Sequence, residues 1–166
     1  SKNLIGTFWF QLNEINAGGS RPQGFAPYVT RKVGVLGAGM MGAGIAFVSA
    51  SAGIEVVLKD VNLDAAEKGK AHSAALLDKK VARGQMDAAK RDEVLARIKP
   101  SESDADLTGC DLIIEAVFED RELKAKVSSA AQRVVGAEAV IASNTSTLPI
   151  TGLAAAVPDQ SKFIGL

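Results

Sequence analysis

A glycine-rich segment between an apolar run and a helix-like segment carries the most specific chemistry in this sequence. It reads Gly37-Ala38-Gly39-Met40-Met41-Gly42, follows the apolar run 33–36 and precedes residues 43–50, whose composition indicates a helix. Glycines at this spacing allow a tight turn, a close approach of backbone N–H groups to a diphosphate, and close packing of the helix on the strand. The helix N-terminus adds unpaired donors and partial positive charge. We therefore predict that a dinucleotide binds at Gly37, Gly39, Met40, Met41 and Gly42.

An acid at the end of the next predicted strand indicates which dinucleotide binds. Asp60 follows the apolar run 56–58, and a carboxylate at this point accepts hydrogen bonds from a pair of ribose hydroxyls, which favours NAD over NADP. Its neighbour Lys59 leaves NADP open, because a basic side chain can tolerate a 2′-phosphate. The alternative is a glycine-rich turn that binds nothing, and the flanking strand, helix and acid argue against it.

A tract of small polar residues follows a later predicted strand. Ser143-Asn144-Thr145-Ser146-Thr147 comes directly after the apolar run 139–142. In an open parallel sheet the carboxyl ends of the strands line the ligand crevice, so Asn144 and Ser146 could bind a carbonyl, a hydroxyl or a nicotinamide amide. A turn that leads into the helix predicted to start near Pro149 explains the same residues, and both readings stay open.

Two charged residues lie near the end of another predicted strand. Glu119 follows Val117 and Phe118 at the same sheet edge, and it either faces the crevice or supplies negative charge to the start of the helix predicted at 121–135. Lys124 in that helix is an ordinary solvated charge unless it points at a phosphate.

The remaining titratable residues point to no catalytic or metal centre. Lys79, Lys80 and Arg83 lie near the end of a long predicted helix, where positive charge is favourable, and an anionic ligand is the alternative. His72 is the only histidine and lies in the middle of that helix, so we do not expect it to act as a base. Cys110 is predicted to be a small buried apolar residue, and one histidine with one cysteine cannot form a zinc-type site.

The order of apolar and amphipathic segments predicts an α/β fold. Alternation of the two kinds of element indicates a Rossmann-type, doubly wound parallel sheet. Two consecutive helices after the second strand are more than a crossover needs, so we interpret them as an inserted helical hairpin. The predicted strands are 32–36, 55–59, 112–117 (an apolar strand covered on both faces) and 139–142, with a possible short strand at 99–101 and an apolar run from 162; the predicted helices are 41–51, 63–83, 87–98, 121–135 and 149–156.

The first thirty residues differ from the rest. Residues 3–16 are predicted to form an amphipathic helix with a wide apolar stripe that must pack on something. A linker rich in glycine follows, with Pro27 near its end. We expect 1–30 to be a helix and linker from an upstream domain, and 31–166 to be the nucleotide-binding domain.

Composition excludes several classes of protein. The 166 residues carry a formal net charge of +0, so neither nucleic acid nor an anionic membrane is expected as a partner. The apolar runs are too short to cross a membrane, and no secretory signal is visible. With a single cysteine, the expected compartment is a reducing cytoplasm.

Taken together, these motifs resemble a known family. The segments 37–46, Asp60, 115–120 and 143–150 resemble the NAD-binding domain of the L-3-hydroxyacyl-CoA dehydrogenases, and the resemblance covers about residues 31–166. The N-terminal helix and linker resemble the joint between hydratase and dehydrogenase parts in the multifunctional α-subunits of fatty acid β-oxidation. NAD is the cofactor that this resemblance implies.

The resemblance also implies a role for each matching position. Asp60 corresponds to the acid that holds the adenosine ribose, and Met41 lies in the pyrophosphate turn. Near the substrate, Ser146 corresponds to a serine that contacts the 3-oxygen region, and Asn144 belongs to the same motif. The helical hairpin corresponds to the CoA-binding arm of the family. Within it, Arg83 lies about where a CoA-contacting lysine is expected. Three positions correspond to the strand end beside the nicotinamide ribose, and a fourth to a lysine near cofactor and CoA: Val117, Phe118, Glu119 and Lys124.

The sequence departs from the family pattern at its end. In the family, a histidine motif follows a segment like 163–166. That histidine, paired with a later glutamate, is the general base. The sequence given contains neither this histidine nor this glutamate, nor the C-terminal helical domain that completes the pocket and pairs the subunits. We expect an intact enzyme that forms an oligomer and oxidises (3S)-3-hydroxyacyl-CoA to 3-oxoacyl-CoA, and a 166-residue chain that binds NAD but turns over essentially nothing. The alternatives are a dehydrogenase of another small hydroxy acid and a non-catalytic dinucleotide-binding module.

Overall fold

Six parallel strands form the centre of the molecule. The computed structural model describes residues 2–26 and 28–166, so Pro27 of the predicted linker lies outside the described residues. The strand order is β3-β2-β1-β4-β5-β6, and every neighbouring pair is parallel. This order confirms the Rossmann-type sheet, in which the order of the strands reverses between β1 and β4 and leaves a crevice there. The strands are β1 Lys32–Leu36, β2 Glu55–Lys59, β3 Ile98–Ser101, β4 Leu112–Glu115, β5 Val140–Ser143 and β6 Phe163–Gly165.

Helices cover both faces of this sheet. One apolar core, which includes Val33 and Val35 of β1, packs under α2, α3 and α4. The other core, which includes Leu36, packs under α5 and α6. Side chains along β1 thus enter cores on opposite faces, as in a doubly wound fold. The helices are α1 (Lys2–Leu4, a π-helical turn Ile5–Gln11, and Leu12–Asn16), α2 Met40–Ser51, α3 Leu63–Ala82, α4 Ala88–Ala96, α5 Arg121–Val134 and α6 Ile150–Ala154, with 3-10 turns at Asp104–Leu107 and Gln160–Lys162.

Most predicted elements form close to their predicted bounds, and two boundaries differ for identifiable reasons. The helix predicted at 87–98 ends at Ala96, because Ile98 is 1% exposed and belongs to β3, where it pairs with Val56 of β2. The strand predicted at 112–117 ends at Glu115, after which the chain leaves the ladder to line the crevice. The apolar run from 162 forms the edge strand β6. Cys110 is buried as predicted, and burial raises the pKa of its thiol to about 11.

The N-terminal segment lies outside both cores. The predicted helix forms as α1, with a π-helical part at Ile5–Gln11, and no residue of its three parts is buried. Of the two ways to cover its apolar stripe, docking onto its own domain or self-association, the structure shows no docking onto its own domain. Tyr28 is the first residue tied to the sheet, since its hydroxyl donates to the carbonyl of Asp111 at 2.5 Å. The Asp111 carboxylate accepts the backbone N–H groups of Arg31 and Lys32 at 2.7 and 3.0 Å, and these bonds lower the pKa of Asp111.

Candidate functional site: the crevice at the ends of β1, β4 and β5

Three glycines shape the turn between β1 and α2 in different ways. Gly37 has φ +94°, and a Cβ there would lie 2.8 Å from the carbonyl oxygen of Ala116. A Cβ on Gly42 would lie only 1.7 Å from the carbonyl oxygen of Gly37, so this glycine lets the helix pack against the turn. A Cβ on Gly39 would meet nothing within 4 Å. Gly39 therefore leaves open space over the backbone where a ligand can approach, as the sequence predicts for the second glycine.

The N-terminus of α2 has no side-chain cap. Gly39 is its N-cap and supplies no side-chain hydrogen bond. The side chains of Asn62, Asp87 and Asp120 cap the three helices α3, α4 and α5, and each accepts a backbone N–H of the first turn. The first N–H groups of α2 thus remain for an anion, and the partial positive charge of the helix end adds to the attraction.

A cavity of about 540 Å³ lies in front of this helix end. That volume is typical of a small-molecule site. Apolar side chains form most of its wall, and Asp60 is the one acid that lines it. The lining residues are Leu36, Gly37, Gly39, Met40, Met41, Lys59, Asp60, Val61, Ala116, Val117, Phe118, Leu123 and Val127.

Asp60 both lines the cavity and braces the glycine-rich turn. Its Oδ2 accepts the N–H of Ala38 at 2.6 Å, and its Oδ1 accepts the N–H of Val61 at 2.6 Å. A carboxylate has about four acceptor positions, so it can still accept ribose hydroxyls. The ammonium of the neighbouring Lys59 is 3.1 Å from Asp104, so its charge is already paired. This arrangement favours a free 2′-hydroxyl over a 2′-phosphate at Asp60.

A second cavity of about 430 Å³ continues from the first and shares Met41, Ala116 and Val117 with it. It brings together residues that the sequence predicted separately, from the end of β4, from α5 and from the tract after β5. Ser146 is exposed there and Asn144 is half-buried. The other lining residues are Glu119, Lys124, Thr145 and Leu166.

Hydrogen bonds hold the carboxylate of Glu119 at the edge of this second cavity. The hydroxyls of Thr145 and Thr147 both donate to its Oε1, the latter at 2.8 Å, and the ammonium of Lys124 is 3.1 Å from its Oε2. These contacts, the Thr145 hydroxyl first, lower the pKa of Glu119 to about 2. Glu119 is therefore ionised at neutral pH and accepts hydrogen bonds there.

Behind Glu119 lies a buried ion pair. Lys124 is 2% exposed and Glu115 is 0% exposed, and the ammonium lies 2.9 Å from Oε1 of Glu115. The interpretation of Lys124 as a solvated helix charge is therefore wrong. Glu115 was not among the candidate site residues, because 112–117 is predicted as an apolar strand. The signal was present, since a carboxylate within a buried strand needs a partner.

Several residues singled out from the sequence lie elsewhere. Arg83 and Lys79 are exposed at the end of α3, and His72 is exposed on the same helix. The ammonium of Lys80 lies 5.2 Å from the ring centroid of Phe47. None of these residues lines either cavity, so any contact of Arg83 with a ligand would occur outside the crevice.

Two negative findings apply to residues 2–26 and 28–166. None of their helices combines the length and apolar character needed to span a bilayer. No three or more of their His, Cys, Asp and Glu side chains are grouped so that they could ligate a metal ion.

Comparisons with known proteins agree with this geometry. The fatty acid oxidation complex subunit alpha of Psychrobacter arcticus is 40% identical over 132 residues, which make up 80% of this chain and 18% of that protein. The crystal structure of (S)-3-hydroxybutyryl-CoA dehydrogenase from Ralstonia eutropha is 42% identical with a TM-score of 0.79, over 82% of this chain and 48% of that one. The 3-hydroxybutyryl-CoA dehydrogenase of Escherichia coli is 33% identical with a TM-score of 0.79, over 84% of this chain and 29% of that one.

The chain thus spans less than half the length of these relatives. Within the chain, residues 32–166 match the family described as the NAD binding domain of 3-hydroxyacyl-CoA dehydrogenase. This match includes the glycine-rich turn, Asp60 and both cavities, and it gives NAD as the cofactor. The chain belongs to the family of NAD-binding domains of the 3-hydroxyacyl-CoA dehydrogenases.

Proposed function

We propose that this chain is the NAD-binding part of an enzyme that oxidises (3S)-3-hydroxyacyl-CoA to 3-oxoacyl-CoA in fatty acid β-oxidation. The observation that carries the proposal is the uncapped end of α2, which faces a cavity bordered by Asp60. NAD⁺, when bound, supplies the acceptor for the hydride that leaves C3 of the substrate. The protein binds and orients the reactants.

The first cavity would take the adenosine and diphosphate parts of NAD. Backbone N–H groups at 39–42 would donate to the diphosphate, which the open space over Gly39 allows. Asp60 would accept the hydroxyls of the adenosine ribose. Val117, which borders both cavities, would pack where the cofactor passes from one to the other.

The second cavity would take the nicotinamide end and the reacting part of the acyl-CoA. Glu119 would accept hydroxyls of the nicotinamide ribose, because it is ionised and 40% exposed. Ser146 and Asn144 would donate hydrogen bonds to the 3-oxygen of the substrate. We further propose that the α3–α4 hairpin, with Arg83, contacts the CoA moiety at the surface.

Other parts of the intact enzyme would complete the reaction. The only histidine of this sequence, His72, lines neither cavity, so we propose that a histidine–glutamate pair outside these residues removes the hydroxyl proton. The relative from P. arcticus extends far beyond the matched stretch. This length leaves room for an upstream hydratase domain and a C-terminal helical domain, which we propose together with an oligomeric enzyme in the cytoplasm.

Titration with NADH and NADPH, followed by fluorescence, tests the cofactor site. We expect NADH to bind more tightly than NADPH, because Asp60 repels a 2′-phosphate. Asp60→Ala should weaken NADH binding about tenfold or more, which corresponds to losing hydrogen bonds to a charged group. It should also lower the stability by about 1 kcal/mol, since Ala38 and Val61 lose their acceptor.

Asp60→Asn is the matched control. It keeps the shape of the side chain but only one of the two acceptor oxygens, so one of the N–H groups of Ala38 and Val61 faces an amide donor instead of its acceptor. The stability should therefore stay below that of the natural chain, while the preference for NADH falls because the negative charge is lost. Equal affinity of the natural chain for NADH and NADPH, unchanged by either substitution, would contradict the proposed site.

A further inference from the structure

The proposed function gives Lys59 no role, although this residue lines the first cavity next to Asp60. None of the other residues that line this cavity is basic. In dinucleotide-binding domains of this fold, a basic side chain near the ribose is what accommodates the 2′-phosphate of NADP. An ammonium can bind such a phosphate as a point charge. The effect of Lys59 on the choice of cofactor therefore depends on where its ammonium is held.

An ion pair holds the ammonium of Lys59 on a residue outside both cavities. Its Nζ lies 3.1 Å from Oδ1 of Asp104, and the side chain of Lys59 is only 16% exposed. Asp104 lines neither cavity. Among residues 2–26 and 28–166, Asp104 is the one acid that forms an ion pair with this ammonium. Lys59 thus borders the cofactor cavity, while its charge is neutralised by a partner that does not.

The 3-10 turn that starts at Asp104 is anchored at both ends. Its N-cap residue is Ser103, whose N–H donates to the hydroxyl of Ser101 at 3.0 Å. Ser101 lies opposite Lys59 in the ladder between β2 and β3. At the other end of the turn, Leu107 is 0% exposed and belongs to an apolar core of the sheet. The turn therefore holds Asp104 beside the end of β2, where its carboxylate meets Lys59.

The ion pair determines what a 2′-phosphate would encounter at the adenosine end of the crevice. The charges of Lys59 and Asp104 neutralise each other, so the carboxylate of Asp60 remains without a free cation beside it. A phosphate monoester carries about 1.5 to 2 negative charges at pH 7, and it would be repelled there. A 2′-hydroxyl is neutral and can donate a hydrogen bond to the same carboxylate.

We propose that Asp104 is a specificity-determining residue, which keeps the ammonium of Lys59 away from a 2′-phosphate and so makes the chain discriminate against NADP. The inference rests on the proposed function, since it needs the first cavity to take the adenosine end of the cofactor. Asp60 then selects NAD by contact with the ribose, and Asp104 selects NAD through its hold on Lys59. Because a lysine has a flexible four-carbon stem, Lys59 can reach the ribose once Asp104 is removed.

The Kd values of NADH and NADPH for Asp104→Ala, measured in the 166-residue chain, test this inference. The substitution frees the ammonium of Lys59, so NADPH should bind about tenfold more tightly than it binds the natural chain, as expected for a new hydrogen bond between charged groups. NADH carries no 2′-phosphate, so its Kd should stay nearly unchanged. Asp104→Asn keeps the shape of the side chain and removes only its charge, so it should give a smaller gain in NADPH affinity.

Two further variants distinguish the release of Lys59 from a general loss of negative charge. The double variant Lys59→Met with Asp104→Ala lacks the acid but has no cation to release, so the gain in NADPH affinity should disappear. The matched control is Asp64→Asn on α3. Asp64 pairs with the exposed Lys68 at 2.6 Å and lines neither cavity, so both cofactors should bind this variant as they bind the natural chain.

A gain in NADPH affinity that persists in the double variant, or that Asp64→Asn reproduces, would overturn the inference, because the effect would then not pass through Lys59. An unchanged Kd of NADPH in Asp104→Ala would overturn it as well, once thermal unfolding shows that the variant is folded. If Asp104→Ala does not fold, Asp104→Asn decides the question in the same way. Failure of the natural chain to bind NADH at all would instead overturn the proposed function.

Discussion

Glu119 illustrates how single side chains set the electrostatics of the crevice. Its side chain is 40% exposed, yet its pKa is about 2, because the hydroxyls of Thr145 and Thr147 and the ammonium of Lys124 all donate to it. This arrangement keeps Glu119 ionised, which suits its proposed role as an acceptor for ribose hydroxyls. We propose that Asp60 also binds ribose hydroxyls, at the other end of the crevice, where backbone N–H groups rather than side chains hold its carboxylate.

The lowered pKa of Glu119 predicts how stability depends on pH. Its folded-state pKa, about 2, lies below its usual value of 4.5, so ionised Glu119 stabilises the fold above pH 4.5, and this contribution is lost as the pH falls toward 2. We therefore expect the natural chain to be more stable than Glu119→Gln at pH 7, with a difference that shrinks below pH 4.5. Urea denaturation of both proteins between pH 7 and pH 3 measures it.

The comparison isolates Glu119 because the other acids with lowered pKa values, Glu93, Asp106, Asp111 and Asp159, are present in both proteins and cancel. A stability difference that stays constant across this pH range would contradict the assignment.

At the scale of secondary structure, the first helix of the hairpin supports the glycine-rich turn directly. Gly69 lies buried on α3, and a Cβ there would lie 2.8 Å from both the Cβ and the carbonyl oxygen of Ala38. The N–H of Ala38 in turn donates to Asp60. The hairpin is thus packed against the residue that fixes the turn and its acid.

This contact predicts opposite effects for two glycine substitutions in helices. Gly69→Ala should push α3 away from Ala38, lower the stability by about 1–3 kcal/mol through overpacking, and weaken NADH binding. A Cβ on Gly44 of α2 would meet nothing within 4 Å. Gly44→Ala should therefore raise the stability by up to about 1 kcal/mol and leave NADH binding unchanged. Thermal unfolding and NADH titration of both variants measure these effects, and a Gly69→Ala variant that behaves like Gly44→Ala would contradict the packing argument.

The sequence predicts elements better than it predicts contacts between them. The strands could be located because each buried strand is a short apolar run between turn residues, and the turn at 37–42 because its glycines carry a specific geometry. The pair of Glu115 and Lys124 could not be found in this way. The two residues lie in different elements, and Ser143, which completes the carboxylate, comes from a third. Such a pair depends on how β4, β5 and α5 are arranged in space, which local periodicity does not encode.

At the scale of the whole molecule, the nucleotide-binding fold and the N-terminal helix are separate in their packing. Both cores lie between residues 33 and 163, while α1 leaves large apolar side chains in contact with solvent. Trp9 is 66% exposed and Phe8 is 67% exposed. An apolar surface of this kind is usually covered by another protein surface.

We accordingly expect the chain to self-associate through α1. Removing residues 1–26 should abolish the association and leave NADH affinity unchanged, because none of the described residues 2–26 lines either cavity. Sedimentation velocity at several concentrations measures association, and Trp9, the only tryptophan, reports burial through its emission. A monomer at every concentration, with Trp9 fully accessible to a soluble quencher, would contradict this expectation.

The most direct test of the account is a crystal structure of this chain grown with saturating NAD⁺. We expect the diphosphate to lie within hydrogen-bonding distance of the N–H groups at the start of α2, the adenosine ribose hydroxyls to lie on Asp60, and the nicotinamide ribose to lie beside Glu119. A dinucleotide bound elsewhere on the molecule, or a crevice that holds none at saturating NAD⁺, would contradict it.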